Sequence, residues 1–538
     1  MPDGVRVAPW PPRAVRSGIP YSDNTVAFAA VLVVLLAFGI YLRTMLPATG
    51  FWDTGEAQTV PPTLSIFHPT GFPTYAMLGW LWSQLPIGEV AWRVNLLSGV
   101  SVALASGLVV LIAGHLIAER DRVMRATAAG IAGAAFAFAS EPWENATRAD
   151  VHAISILSVT LLVWLLFTWR AAERAGSPRA GGWLIAAALT FGLGLGVHPL
   201  IGLFAFGIAA WLFVVDRSFW RRWRLIALCC AALALGIGTF AYIWVRAITD
   251  PEPALFYARP DTWDRFRYLV FAEQFSGLFR DFQDPLADLS RKWADTEPVL
   301  AAQFVAPGWL LVAIGAAIVA ARSLGTFAAL ALFVVGNVLY SMNFRDGDID
   351  RYYMPTVAVL APLIGVALAT IAAASAQAVA ETGRRLLTEI DIRRRLAALG
   401  GALVLGLGAL LPAASLVTGY AAHDQSQNRD ADDWVASVYG LLPPNAVVVS
   451  WWSYSTPLWH HRWVLGERPD VTIIDERDIL DEGYRTMNNA IGAHFGRRPV
   501  YVVLPSWERE LVTARWEMST LPTLPGFTRL LLVEGPST

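Results

Sequence analysis

The sequence predicts an α-helical polytopic membrane protein, on three observations. Hydrophobic residues fill 55% of the 538 positions and charged residues only 16%, with a positive mean hydropathy. A water-soluble chain carries charge on about a quarter of its residues. The apolar residues fall in runs of about twenty, the length a helix needs to cross ~30 Å of hydrocarbon. Arginines gather in short segments between alternate runs. The net charge of −2 supplies no basic field, which excludes nucleic acid as an expected partner.

The elements follow in chain order. Residues 1–24 contain several Pro and Arg and read as a disordered tail. The run from Thr25 to Leu46 is too long for a signal-peptide core and has no clear small-residue cleavage site, so it predicts a retained first helix. About eleven spans result: 25–46, 91–118, 126–140, 151–169, 181–197, 200–215, 225–246, 307–321, 324–340, 352–376 and 397–419. With the N-terminus in the cytoplasm, the Arg-rich connections 119–125, 170–180, 216–224 and 377–396 all fall inside, as positive loops should. The expectation is a multi-pass protein of the cell membrane with a transmembrane domain over 25–419. The loops 47–90, 141–150, 247–306 and 341–351, the His198 turn and the tail 420–538 then lie outside. In that tail, a helix at 431–442 and strands at Val447–Ser450, Val471–Asp475, Val500–Leu504 and Leu530–Val533 predict a small extracytoplasmic α/β domain. Cys229 and Cys230 are neighbours in an apolar run, so no structural disulfide is expected.

The residues suited to chemistry all fall on the outer side. Asp53 and Glu56 stand three apart behind Phe51 and Trp52, so one helical turn places both acids on one face at the interface. A carboxylate at an apolar boundary is pushed toward the basicity needed to take a proton from a hydroxyl. The competing account is a solvated loop that caps the next segment. Segment 71–86 would span only about 24 Å as a helix, too short to cross, and is expected on or in the outer leaflet. Arg93 opens the next span, where it suits a phosphate or a snorkelling anchor equally.

Glu141, Glu144, Arg148, Asp150 and His152 crowd twelve residues at the mouths of two spans, a concentration of charge that points to function where it meets the bilayer. His198 closes the glycine-rich run Gly192–Gly196, level with these groups and so placed for ligand binding. Asp346, Asp348 and Asp350 alternate without the downstream glutamate of an EF-hand, which excludes that motif. A divalent cation held by these three competes with plain solvation. No other cofactor and no defined metal-ligand set is expected. Arg351 and Tyr352 follow, suited to a phosphate. Phe271, Phe275 and Phe279 recur every four residues, as on an interfacial amphipathic helix that could wall a lipid tail.

Several stretches together resemble the protein O-mannosyltransferase-like membrane family of the GT-C glycosyltransferases. They are Phe51-Trp52-Asp53-Thr54-Gly55-Glu56, His68-Pro69-Thr70-Gly71-Phe72-Pro73, Leu85-Pro86-Ile87-Gly88, Arg93-Val94-Asn95-Leu96, the glycine run to His198, and Asp350-Arg351-Tyr352-Tyr353. In the tail, Leu442-Pro443-Pro444-Asn445-Ala446 and Arg468-Pro469-Asp470-Val471 belong to the same resemblance. Thr70 stands where the family has a second proline, and Trp451-Trp452-Ser453-Tyr454-Ser455 stands in place of an acidic element. The resemblance implies a GT-C fold with an outward active site and a sugar donor carried on polyprenyl phosphate. The acceptor would be protein or glycan, with Asp53 activating its hydroxyl and Glu56 in support. Transfer of mannose or another hexose with inversion is the expected reaction. His68, Arg93, Arg148, His152, His198, Arg351 and Tyr352 are the candidates for donor phosphate and substrate. Two rivals stand beside it. A flippase of lipid-linked sugars would need ionisable groups deep in the spans, and a scaffold with a partner-binding outer domain would be indifferent to Asp53.

Overall fold

The computed structural model describes residues 23–249, 253–278, 284–345, 347–386 and 388–537. Residues 1–22 of the expected tail 1–24, together with Phe279 and Asp346, lie outside these residues, and Asp23 and Asn24 belong to the start of the first helix. Helix α1 (Asn24–Thr44) starts where the Asp23 side chain accepts the Thr25 amide at 3.0 Å. Its 21 residues reach about 31 Å, enough to cross a bilayer. Helices α2 (Trp52–Thr63) and α3 (Pro73–Ser83) follow, and α3, at about 16 Å, is too short to cross. Next come α4 (Val90–Leu116), α5 (Arg122–Ala137), α6 (Ser140–Ala146), α7 (Val151–Arg174) and α8 (Ala180–Leu195).

Seven helices among the described residues are long and apolar enough to cross singly. Two further spans are bent pairs: α5 and α6 meet at 67°, and Leu289–Ala301 meets Ala306–Arg322 at 106°. The apolar helices 180–195 and 199–215 are shorter than a crossing requires. The count of about eleven therefore resolves into seven to nine. Unbroken hydropathy conceals both the bends and the early helix ends. The protein is nonetheless a multi-span membrane protein. Close helix contact rests on glycine at Gly192 and Gly236. A Cβ at Gly192 would stand 2.4 Å from the Leu233 carbonyl oxygen, and one at Gly236 would stand 2.5 Å from the Leu193 nitrogen.

The segment 263–278 is not one helix. A helix Trp263–Val270 ends, Ala272 turns at φ 51°, and a 3₁₀ turn covers Glu273–Leu278. The expected phenylalanine stripe is broken there, and Phe271 is 71% exposed.

Residues 430–537 build a five-stranded sheet in the order β2-β1-β3-β5-β4. The strands are β1 (Val447–Ser450), β2 (Thr472–Ile474), β3 (Val500–Val503), β4 (Trp516–Leu521) and β5 (Leu530–Pro536). β1 pairs in parallel with β2 and β3, while β5 runs antiparallel to β3 and β4. Strand β4 escapes a hydropathy reading because it is an edge strand carrying Glu517, Ser519 and Thr520.

One face of the sheet shares its core with the first outer segment. Val448, Tyr501 and Val503 join Trp434, Leu458 and Trp459, and the same cluster takes in Ala57 and Val60 from α2, Tyr75 from α3 and Phe72 just before it. Phe51 packs edge-on to Trp434 at 5.6 Å and stacks on Phe527 at 5.7 Å. A Cβ on Gly55 would lie 2.8 Å from Thr456 Oγ1, so α2 and the helix Trp452–Trp459 touch backbone-close. The carboxyl-terminal domain thus clamps the segment that carries Asp53 and Glu56.

Candidate active site

The site is built on a buried amide knot. Asn95, fully buried near the start of α4, accepts from Gln58 Nε2 and from the Ala149 amide, both at 2.8 Å. Its Nδ2 donates to the Leu46 carbonyl at 2.8 Å. Gln58 in turn accepts from the Gly50 amide at 2.9 Å and donates to the Ala48 carbonyl at 3.1 Å. Two side chains therefore tie the chain before Asp53 to the chain before Asp150.

Asp53 sits in the first turn of α2, where the helix end favours an anion. Trp52 before it holds a positive φ of 57°, a conformation that non-glycine residues avoid. Asp150 caps α7 by accepting the His152 amide at 2.7 Å. Arg351, from the turn Ile349–Tyr353, joins the two acids. One guanidinium nitrogen donates to Asp53, and another donates to Asp150 at 2.9 Å. Asp348 adds a third carboxylate at 3.6 Å. Arg351 is buried and its Nε–H has no partner among the described residues. Burial works to raise the Asp150 carboxyl, but the charges of Arg351 and its neighbours outweigh it and hold that carboxyl below its ordinary range.

The histidines gather around this ion-pair group. The rings of His152 and His198 lie 4.4 Å apart, and Tyr352 packs on both, at 4.8 and 5.6 Å. His198 is displaced well below the usual imidazole range by burial and by the neighbouring His152 and Arg351, so it is neutral. Phe72 stacks on His198 at 5.6 Å and meets His68 edge-on at 5.1 Å. Glu56 is fully buried and engaged, accepting the His68 amide at 2.9 Å and pairing with His68 Nδ1 at 2.5 Å. Burial alone would lower His68; the Glu56 carboxylate overrides it and raises the ring to about 8.

One ligand atom each from Asp53, Glu56 and His68 lies within 4.8 Å of the others, close enough to share a cation. Two features compete with a metal there: the protonated His68 ring offers no lone pair at neutral pH, and Arg351 already supplies positive charge to Asp53. Of the three alternating aspartates, Asp346 lies outside the described residues and Asp348 is turned toward Arg351.

Seven of the expected residues converge: Asp53, Glu56, His68, His152, His198, Arg351 and Tyr352. Two stand apart. Arg93 donates to the carbonyls of Ser83 and Gly88, at 2.5 and 3.2 Å, and so fastens the end of α3. Arg148 pairs with Glu144 at 2.9 Å, one turn away on a partly exposed rim. Asp150 was one of several acids in its loop and carried no separate signal. Its position directly before the first helical residue, two ahead of His152, marks a capping acid in retrospect. Asn95 was visible only as part of a motif, since the importance of an amide depends on what surrounds it.

The molecule is thus a many-helix membrane protein whose acid, arginine and histidine cluster lies at the ends of its spans, roofed by an α/β domain. Comparisons with known proteins agree. Residues 53–223 match the family described as the protein O-mannosyl-transferase TMEM260 N-terminal domain. The chain is 27% identical over 527 residues to the protein O-mannosyl-transferase TMEM260 of Mus musculus, a match covering 93% of this chain and 68% of that one. The fold is that of ArnT from Cupriavidus metallidurans. The apo structure aligns with a TM-score of 0.54 at 16% identity over 94% of this chain and 97% of that one. The undecaprenyl phosphate complex gives 0.53 at 16% identity over 95% and 98%. The resemblance to the protein O-mannosyltransferase-like family is borne out, and with it the enzyme class: the protein is a membrane glycosyltransferase.

Proposed function

We propose that this enzyme transfers a hexose, mannose first among them, from a polyprenyl-phosphate donor to a hydroxyl of a protein acceptor at the outer face of the cell membrane. With each bent pair counted as one span there are nine, an odd number, which puts residues 420–538 outside when the N-terminus is in the cytoplasm. The observation that carries the reading is the pairing of Asp53 with Arg351 inside a ring of His68, His152, His198 and Tyr352. A base, a guanidinium and hydrogen-bonding rings at one membrane boundary suit a donor whose sugar is polar and whose tail is not.

In this mechanism Asp53 takes the proton of the acceptor hydroxyl as its oxygen attacks the anomeric carbon. The bond from that carbon to the phosphate oxygen breaks, the configuration inverts, and polyprenyl phosphate leaves. The open Nε–H of Arg351 and protonated His68 meet the charge that develops on the leaving phosphate. Asp150 keeps Arg351 in place, and Glu56 keeps His68 charged. Arg93 supports α3, and Arg148 belongs to the rim. The named relatives are in keeping with this: one is a protein O-mannosyl-transferase, and the other is solved with undecaprenyl phosphate.

The test is a panel of labelled polyprenyl-phosphate sugars offered to the purified enzyme with a serine- and threonine-containing peptide. Labelled peptide from the mannose donor supports the reading. Asp53→Asn should fold and lose 10²–10⁴-fold in turnover, the usual contribution of a general base. Undiminished transfer by that variant refutes the mechanism, and no transfer from any donor refutes the function.

A further inference from the structure

Resting on the transferase reading above, we infer that the acceptor binds in a separate polar cavity on the far side of Trp52, as a short water-borne peptide segment without acidic neighbours to its hydroxyl. The cavity has a volume of about 290 Å³. Trp52 and Thr54, the residues on either side of Asp53, both line it. Its other walls include Glu144, Arg148, Asn428 and Phe527. It therefore lies where the first outer loop, α6, the end of the helix Ile390–His423 and the carboxyl-terminal domain meet.

Three features define the occupant. First, the walls are rich in polar side chains. The second cavity, about 270 Å³ between α7, α8 and the helices that follow, is lined almost wholly by Leu, Ala, Ile and Phe. A ligand of the polar cavity arrives from water, and the donor's tail does not belong there. Second, its volume is at the lower bound of ordinary ligand pockets, roughly 300–1,000 Å³, so it admits a narrow stretch of chain and excludes a folded surface or a branched glycan. Third, two acids, Glu144 and Asp430, face one Arg148, with Arg148 already bound to Glu144 at 2.9 Å. Like charges repel, so an acidic peptide is disfavoured.

The backbone of Trp52 adds a fourth feature. Its positive φ is strained for an aromatic residue, and Trp52, at the cavity wall, is half-exposed. Strain of this kind persists where the surroundings enforce it, commonly beside a functional group. The turn brings Trp52 and Thr54 to the cavity wall while the carboxylate between them pairs with Arg351. A hydroxyl held against Trp52 therefore lies one residue along the chain from Asp53.

Ala422 tests this directly, since it lines the cavity from an exposed helical position where a larger side chain needs no repacking. Ala422→Trp should raise the KM for a neutral serine- and threonine-containing peptide at least tenfold, with kcat at saturating peptide within about threefold of the parent. Ala421→Trp, at an exposed position of the same helix outside the cavity wall, should behave as the parent, which separates blockage from misfolding. Peptides with Asp on both sides of the hydroxyl should show a KM several-fold higher, and Glu144→Gln should reduce that penalty. An unchanged peptide KM in Ala422→Trp overturns the inference while leaving the transferase reading intact. So does faster transfer to a soluble oligosaccharide than to the peptide. Absence of transfer by the parent enzyme defeats the transferase reading itself.

Discussion

The Glu56–His68 pair makes a definite prediction about pH. His68 is raised from 6.5 to about 8 in the folded protein, because the buried Glu56 carboxylate favours the imidazolium. A group whose folded pKa is raised stabilises the fold fully below its unfolded pKa, and that contribution disappears as pH climbs through the folded value. The window is therefore pH 6.5 to about 8, and stability falls across it. At 1.36 kcal/mol per unit, the shift corresponds to about 2 kcal/mol. The His68 side chain is only one-fifth exposed, so solvent screening leaves most of this in place. Thermal denaturation of the detergent-solubilised protein at pH 6, 7, 8 and 9 measures it. His68→Gln keeps a hydrogen-bonding side chain but cannot titrate. The parent should lose stability between pH 6 and 9 relative to His68→Gln, with the two curves converging at the alkaline end. Parallel curves across the whole range would refute the assignment of a charged His68.

Three other outcomes are expected. Arg351→Met leaves Asp53, Asp150 and Asp348 without their shared cation and should destabilise the fold by 3–5 kcal/mol, the usual cost of breaking a buried ion pair, read as a lowered melting temperature. Arg351→Lys should recover part of the melting temperature and little transfer, because an ammonium cannot reproduce the guanidinium fork. Asn95→Ala leaves one N–H of the Gln58 side chain, the Leu46 carbonyl and the Ala149 amide without the bond Asn95 gives them, each worth ~1–3 kcal/mol when left buried and unpaired, so expression of folded protein should drop sharply. Removal of divalent cations with EDTA should leave transfer unchanged, since Arg351 serves Asp53. A loss reversed by added Mn²⁺ would instead place a cation on Asp53, Glu56 and His68.

What the sequence disclosed depended on whether the signal was local. The Asp53–Glu56 spacing, the His198 turn and the Arg351-Tyr352 pair could be read because each is a short motif at the end of an apolar run. Their convergence could not be read from spacing alone, since Arg351 reaches Asp53 across 298 positions and Asp150 across 201. The two readings of Arg93 could not be separated, because an arginine at a span's mouth has the same appearance whether it meets a phosphate or the Ser83 carbonyl. Hydropathy found the spans but not their bends, because chain direction at Phe138–Ala139 or Ala302–Val305 leaves apolar content unchanged. The β4 edge strand was invisible for the opposite reason, its half-exposed residues having no apolar pattern to show.

The clamp on α2 has a consequence for biosynthesis. Phe51 and Gly55 are translated early, but Trp434, Thr456 and Phe527, which hold them, are made much later. Until then the turn bearing Asp53 is held by the Asn95–Gln58 knot alone on one side and has an open apolar flank on the other. Late-made residues thus cover an early-made turn, and a chain cut before Trp434 would leave that flank bare.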